Sequence, residues 1–351
     1  MHEVTLIPGE GIGPEVTAAA RRIIEASGVK IDWDVVEAGS HVADRYGTLL
    51  PDFVLDSIER TKIALKGPIT TPIGDTEFQV SVAWTQGGRK PTAPRTYPSV
   101  NVALRKELDL YANVRPARVY PGIKTRFDDV DLVVVRENTE DLYVGIERMI
   151  TPDIAEAVKI LSRQGSERIV KYAFDYAVRH GRHKVTAVHK ANILKRTDGL
   201  FLNTARDIAR SYPQIAFEDR IIDAICMQLV QFPEVFDVIV APNLYGDILS
   251  DLTAGLVGGL GVAPGANVGA EAIVFEPVHG TAPTIAGQDE ANPMATILSS
   301  VMMLRHMGET EAANRIDDAL VAVLKEGKQV TADLGGSAGT SQMTEAIVQA
   351  M

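Results

Sequence analysis

Val4-Thr5-Leu6-Ile7-Pro8-Gly9-Glu10-Gly11-Ile12-Gly13-Pro14-Glu15 sets a short apolar run ahead of a glycine-rich turn and a proline-led segment. A strand, such a turn and then a helix invite a dinucleotide-fingerprint reading, in which glycines let backbone approach a pyrophosphate at the helix N-terminus. The spacing argues against it. The glycines run G-x-G-x-G, not G-x-G-x-x-G, and Pro14 is explained as a first-turn residue whose missing N–H would have no partner there. A helix-capping turn beside a cleft is the expectation.

Working outward, strand-like and helix-like segments alternate: Val4 to Ile7, a helix from about Pro14 to Ala26, a strand from Ile31 to Val36, and a helix near Phe53 to Arg60. Leu132-Val133-Val134-Val135 and Val238-Ile239-Val240 are β-branched runs suited to buried strands, with amphipathic helices between them. The fold class is therefore α/β. From Gly74 to Pro98, with Gln86-Gly87-Gly88-Arg89-Lys90-Pro91 at its centre, an extended loop or hairpin is expected. Leu256 to Gly269, with Gly258-Gly259 and Gly261, suggests a turn-rich floor where backbone approaches something closely.

At 351 residues, two domains or one large α/β unit with an excursion are the natural expectations. Hydrophobic residues at 46% and charged residues at 23% are those of an ordinary globular protein. A net charge of −11, with basic residues scattered apart from small groups such as Arg179 to Lys184, argues against a nucleic-acid partner. No apolar run of about 20 residues suggests a membrane span. The N-terminus lacks secretory features, and the single Cys226 suits a reducing compartment, so a cytoplasmic location is expected. Cys226 lies in Ile221-Ile222-Asp223-Ala224-Ile225-Cys226-Met227, where a buried inert thiol is the expectation.

Chemistry concentrates in Asn243-Leu244-Tyr245-Gly246-Asp247-Ile248-Leu249-Ser250-Asp251. If Asp247 opens a helix, Asp251 shares its face and both carboxylates suit one hard divalent cation. Asp247 as an N-cap and Asp251 as a solvated acid is the plainer alternative. Arg105, Arg115 and Arg136 stand at or beside the ends of apolar or strand-like segments, and planar guanidiniums suit a di- or tricarboxylate. Tyr143 and Lys190 would offer protons of tunable pKa in a cationic cleft, against the alternatives of a rim tyrosine and a solvated lysine. His279-Gly280-Thr281-Ala282-Pro283 follows the strand-like Ile273-Val274-Phe275-Glu276 and suits a nucleotide, unless His279 is a core histidine.

Together these residues resemble the isocitrate and 3-isopropylmalate dehydrogenase family. Matching segments are Gly11 to Glu15, Lys66-Gly67-Pro68, Asp109-Leu110-Tyr111-Ala112-Asn113-Val114-Arg115-Pro116, Arg136-Glu137-Asn138-Thr139-Glu140, Asn243 to Asp251, and His279 to Pro283. The resemblance covers essentially the whole chain. It implies an isopropylmalate-dehydrogenase-like, non-Rossmann two-domain α/β fold with a discontinuous large domain, residues 1–107 plus 242–351, and a small domain, 108–241, carrying the dimerisation elements. It further implies a homodimer in which each active site borrows residues from the other subunit. Asp247 and Asp251, with Asp223 from the other chain, would hold Mg2+ or Mn2+. Ser99, Asn101, Arg105, Arg115, Arg136 and Asn192 would bind the substrate; Tyr143 and Lys190 would be catalytic. Thr71, His279, Gly280, Thr281, Ala282 and Asn292 would line the cofactor.

Within the family, Ser99-Val100-Asn101-Val102-Ala103-Leu104-Arg105 resembles isocitrate dehydrogenases, since a hydroxyl and an amide suit an extra carboxylate and would waste an isopropyl group. Positions that hold a 2′-phosphate in NADP-using relatives correspond to Thr284-Ile285, Ala332, Gly336 and Phe232, none cationic, which favours NAD. Thr284 replaces an Asp that many NAD-using relatives have. The expected activity is oxidative decarboxylation of isocitrate to 2-oxoglutarate. The alternatives are homoisocitrate or 3-isopropylmalate as substrate, or a non-catalytic regulatory subunit of a heteromeric enzyme.

Overall fold

β1 (His2–Ile7) is buried from Val4 to Ile7, on both faces, as a strand covered by helices on each side requires. In this computed structural model, residues 1–71, 79–85, 87 and 93–351 are described. α1 (Gly13–Ala26), β2 (Ile31–Val35), the short α2 (Ala43–Tyr46), α3 (Asp52–Thr61) and β3 (Ile63–Lys66) follow. β4 (Val80–Val82) and β5 (Arg95–Tyr97) pair antiparallel, so the described edges of the expected loop or hairpin form a hairpin; the residues at its centre, including Gln86 and 88–91, lie outside the described residues. α4 (Val100–Glu107), β6 (Ala112–Arg118) and β7 (Asp131–Glu137) come next. β8 (Glu147–Thr151) and β9 (Ile154–Ala157) form a separate hairpin arm. Then come α5 (Arg163–Arg179), β10 (Lys184–His189), α6 (Thr197–Ala209), β11 (Ala216–Ile221), α7 (Ile222–Gln231), β12 (Val238–Ala241) and α8 (Asn243–Leu256). β13 (Pro264–Val268), β14 (Ile273–Pro277), α9 (Met294–His306), α10 (Thr310–Glu326) and α11 (Thr340–Ala350) complete the chain.

Ten strands form one sheet in the order β11-β10-β12-β7-β6-β13-β14-β3-β1-β2. The five from residues 108–241 make one half, and the five from the rest of the chain the other. β6 pairs antiparallel with both β7 and β13, and β13 antiparallel with β14; the flanking pairs are parallel. This mixed sheet differs from a doubly wound nucleotide-binding sheet, in keeping with the expected non-Rossmann α/β fold. α1, α9, α10 and α11 cover one face of the second half, and α3, α4 and the β4–β5 hairpin cover the other, around separate apolar clusters. α5 and α6 cover one face of the first half.

The opening turn caps nothing through a side chain. Ile12 occupies the N-cap without a side-chain bond, and Pro14 lies in the first helical turn. Gly11 is at φ +60, and a Cβ there would meet Thr281 O at 1.9 Å. The glycine is thus required by the close approach of the 279–282 loop, which Ile12 N joins by donating to Thr281 O at 2.9 Å. The floor expected from Leu256 to Gly269 includes β13, a central strand of the sheet. Cys226 is partly buried instead of fully so, because α7 turns one side to the surface; burial and Asp223 still push its thiol pKa up.

Candidate active site

Helix α8 begins at Asn243, so Asp247 lies one turn inside it and neither opens nor caps it. Asp247 and Asp251 do share a face. Arg115 Nη1 lies 3.4 Å from Asp247 Oδ1 and 3.3 Å from Asp251 Oδ1, so one cationic nitrogen already reaches both carboxylates. That placement fits a divalent ion. Burial and the neighbouring Asp247 raise the Asp251 pKa.

Arg115 stands in the middle of β6, not at a strand end, and Arg105 in the last turn of α4; Arg136 is the penultimate residue of β7. Register explains how Arg115 and Arg136 meet α8: β6 and β7 are antiparallel with Asn113 opposite Arg136 and Arg115 opposite Val134, so the two arginines share a face, and a Cβ on Gly246 would lie 2.6 Å from the Arg136 side chain. Glycine there lets α8 pack directly over the arginine. Arg136 donates to Asn243 Oδ1 at 2.9 Å and pairs with Asp247, yet its buried Nη2 has no partner. Burial, reinforced by Arg105 and Arg115, lowers its pKa to about 9. An unsatisfied donor among three crowded guanidiniums suits a carboxylate.

Tyr143 sits in a 3-10 turn over Leu142–Val144 and donates its hydroxyl to Asp247, with the Arg136 guanidinium 4.9 Å over its ring. Burial raises its pKa, so the phenol keeps its proton. Burial opposes ionisation of Asp247, but Arg136 and Arg115 outweigh it and its pKa is lowered.

Beneath this cluster lies an ion pair that the sequence reasoning missed. Lys66, 3% exposed, meets Glu276 at 2.6 Å, and Arg105 Nη2 approaches the same carboxylate at 3.7 Å. Asn267 donates to Glu276 at 2.7 Å and accepts from Asn113 and Asn138, tying β14, β13 and β6 together. Against burial, Lys66 and Arg105 pull the Glu276 pKa down to about 2. A signal existed: Ile63-Ala64-Leu65-Lys66 and Ile273-Val274-Phe275-Glu276 each end an apolar strand on a charge, and parallel pairing of Leu65 with Phe275 sets the charges side by side.

Ser99 is the N-cap of α4, accepting from Val102 N at 3.1 Å, which leaves its hydroxyl proton free to donate. Asn101 makes a marginal 3.5 Å bond to Ile69 O, and its Oδ1 is buried without a partner. Thr71 is exposed, next to Thr70, whose hydroxyl reaches Thr281 Oγ1 at 3.2 Å.

The 279–282 loop adjoins a second cleft, of about 590 Å3, lined by Ile12, His279, Ile285, Asn292, Ala332 and Asp333 among others. Ala282 holds φ +38, a strained value for a side-chain-bearing residue. His279 donates Nδ1–H to Gly280 O at 3.0 Å and burial lowers its pKa, so the neutral ring keeps a buried Nε2 acceptor without a partner. Asn292 spans Met294 N and Asp333 at 2.9 Å each. These groups fit a dinucleotide.

Lys190, Asp223 and Asn192 are apart from all of this. Lys190 pairs with Asp223 on the outer side of β10 and α7, and Asn192 is exposed beside them. Among the described residues of one chain, no three acidic, histidine or cysteine side chains gather to hold a metal, so Asp223 does not join Asp247 and Asp251 within the chain.

The family profile described as isocitrate/isopropylmalate dehydrogenase matches residues 3–347. The NAD isocitrate dehydrogenase catalytic subunit 5, mitochondrial, of Arabidopsis thaliana is 48% identical over 98% of this chain and 87% of its own length. The chloroplastic 3-isopropylmalate dehydrogenase of Solanum tuberosum is also 48% identical, over 92% of this chain and 85% of its own. The crystal structure of isocitrate dehydrogenase from Methylococcus capsulatus superposes with a TM-score of 0.91 at 53% identity, covering 100% of this chain and 99% of that one.

Proposed function

Because the chain belongs to the isocitrate/isopropylmalate dehydrogenase family, we propose that it oxidatively decarboxylates isocitrate to 2-oxoglutarate and CO2 with reduction of NAD, and that it does so as a homodimer in the cytoplasm. The observation that carries the reading is the crowding of Arg105, Arg115 and Arg136 around Asp247, with Arg136 Nη2 left unpaired. Ser99 and Asn101 at the start of α4 add polar groups where an alkyl-binding site would want apolar ones. Asp289, Glu290 and Asp333 line the second cleft, which favours a ribose diol over a 2′-phosphate.

The dimer is argued from what one chain leaves uncovered. The β8–β9 arm is a two-stranded hairpin whose Met149, Ile150 and Ile154 are 60%, 54% and 54% exposed. Such a hairpin is marginal by itself, and an exposed apolar surface of this kind marks a partner. Met227, Phe232 and Ile248 on and beside α7 and α8 form a second exposed apolar surface. A dimer burying both would also carry Lys190 and Asp223 to the other chain's cleft.

In the reaction, Arg105, Arg115 and Arg136 bind and orient the substrate carboxylates. Asp247 and Asp251, with Asp223 of the partner subunit, would hold Mg2+ or Mn2+, which supplies Lewis-acid polarisation of the substrate oxygen. Lys190 of the partner subunit, as the neutral amine after passing a proton to Asp223 or water, would accept the substrate's hydroxyl proton at Nζ, and NAD, when bound, would supply the hydride acceptor. Tyr143, kept protonated by its burial, delivers its hydroxyl proton to the carbon vacated by CO2. The half of the sheet from residues 108–241 and the other half form the two domains, meeting at the β6–β13 pair. Initial rates at 340 nm with Mg2+, crossing isocitrate, homoisocitrate and 3-isopropylmalate against NAD and NADP, test the reading. Fastest turnover with isocitrate and NAD is expected; preference for another acid reassigns the substrate, and no turnover with any would favour a regulatory subunit.

A further inference from the structure

Lys159 stands at the root of the β8–β9 arm, where Asp141 N donates to Ile160 O at 2.8 Å. Its ammonium lies 2.9 Å from Asp198 Oδ1 and 3.6 Å from Asp141 Oδ1, and both carboxylates are at 0% exposure. The Tyr245 ring closes the site, its centroid 4.1 Å from Nζ. Each acid has a second duty. Asp141 accepts from Leu142 N at 2.9 Å and from Leu244 N at 3.0 Å, so it anchors both the turn that carries Tyr143 and the first turn of α8, which carries Asp247. Asp141 itself takes φ +69, a left-handed backbone maintained by these bonds. Asp198 accepts Lys190 N at 2.7 Å and so fixes the loop that presents Lys190.

Two fully buried carboxylates need a cation, and among the described residues Lys159 is the one within ion-pair distance of both. From this geometry we infer that Lys159 is a positioning residue joining two active sites: through Asp141 it sets Tyr143 in its own cleft, and through Asp198 it sets the Lys190 that serves the other subunit. The inference rests on the proposal that each cleft uses Lys190 of the partner subunit. Its consequence is specific. Loss of Lys159 from one chain harms both clefts of a dimer, whereas a residue acting only on its own cleft harms one.

Mixed dimers test this. Two differently tagged chains, one wild type and one Lys159→Met, are isolated by tandem affinity and assayed with isocitrate, NAD and Mg2+. Turnover about tenfold or more below the wild-type dimer is expected, because small misplacements of reacting groups are costly. About half the wild-type rate would overturn the coupling. Lys159→Arg, which keeps the charge, should restore most of the rate; a merely steric role would not be rescued by the larger side chain. Hydrogen exchange supplies a readout without substrate or metal: amides at 142–144 and 190–194 should both exchange faster in Lys159→Met while β12 is unchanged, and unaltered exchange in either loop sinks the inference. If Lys159→Met yields no soluble protein, Lys159→Gln reads the same comparisons. Inactive wild-type protein would instead overturn the dehydrogenase reading, failure to form mixed dimers would overturn the homodimer reading and with it the coupling of two clefts, and the exchange measurement would still decide whether Lys159 holds both loops.

Discussion

Arg136 and Asp247 meet where their side chains are 1% and 33% exposed, whereas Lys190 and Asp223 meet at 27% and 68%. Both pairs form within one chain and join groups proposed for one reaction, yet only the first lies among other charged groups of that chain. Asp247 is met from three elements: Arg136 of β7, Arg115 of β6 and Tyr143 of the 142–144 turn. Lys190 meets one carboxylate in water, where such pairs contribute little. On the proposed reading, the contrast teaches that the carboxylate-binding half of the cleft is preformed in one chain, while the proposed proton-transfer lysine stands on a surface that would gain its surroundings on assembly.

The largest expected effect breaks the buried half. Asp247→Asn keeps the shape but removes the anion from two buried guanidiniums, so urea unfolding should show a loss of about 3 kcal/mol or more. Turnover should fall at least about a thousandfold, since charge is lost from the proposed metal site as well. Unchanged stability would mean that Asn243 and water satisfy Arg136, and that the cluster does not depend on Asp247.

A second test separates the halves by complementation. Tyr143→Phe and Lys190→Met homodimers should each lose about 10²- to 10⁴-fold in kcat. Mixed dimers of the two variants should recover about half of wild-type turnover, because one cleft then holds both an intact Tyr143 and an intact Lys190. Absence of recovery would place both groups in the same chain's cleft and erase the distinction.

The third prediction concerns pH. The Glu276 carboxyl titrates near 2 in the fold against an ordinary 4.5, held down by Lys66 and Arg105. A depressed acid contributes stability that is complete above about pH 4.5 and is lost as pH falls through 4.5 toward 2, up to about 3 kcal/mol. Urea midpoints taken from pH 6 to pH 3 should fall steeply in wild type, and Glu276→Gln should start less stable and fall less. Equal slopes would show that other carboxylates dominate the acid limb.

How much of this was legible beforehand follows from the same contrast. The strand and helix runs were readable because burial on both faces leaves continuous apolar stretches such as Leu132 to Val135, and β7 extends that run by one residue before it and two after. Asp247 and Asp251 were placed on one helical face by their spacing, although the helix starts earlier than Asp247, because Pro242 and Asn243 supply the entry. Lys66 and Glu276 each follow a readable apolar run, but only the parallel register of β3 and β14 sets them side by side as a pair. Lys159 was invisible for a related reason. Its partners Asp141 and Asp198 are distant in sequence, and nothing local to an exposed hairpin signals that the residue at its root meets two buried carboxylates.

The smallest expected effect sharpens the comparison from the exposed side. Among the described residues Asp223 is the carboxylate paired with Lys190, and that pairing lowers its pKa while leaving it in water. Without metal, Asp223→Asn should therefore melt within a degree or so of wild type, as surface substitutions generally do. Added Mg2+ or Mn2+ should raise the wild-type melting temperature through binding to the folded state alone. That rise should shrink in Asp223→Asn if this carboxylate completes the site formed by Asp247 and Asp251 of the other chain. A clear drop in the metal-free melting temperature would show that Asp223 already supports the fold or the subunit contact, and the division between a preformed half and a half completed by assembly would fail.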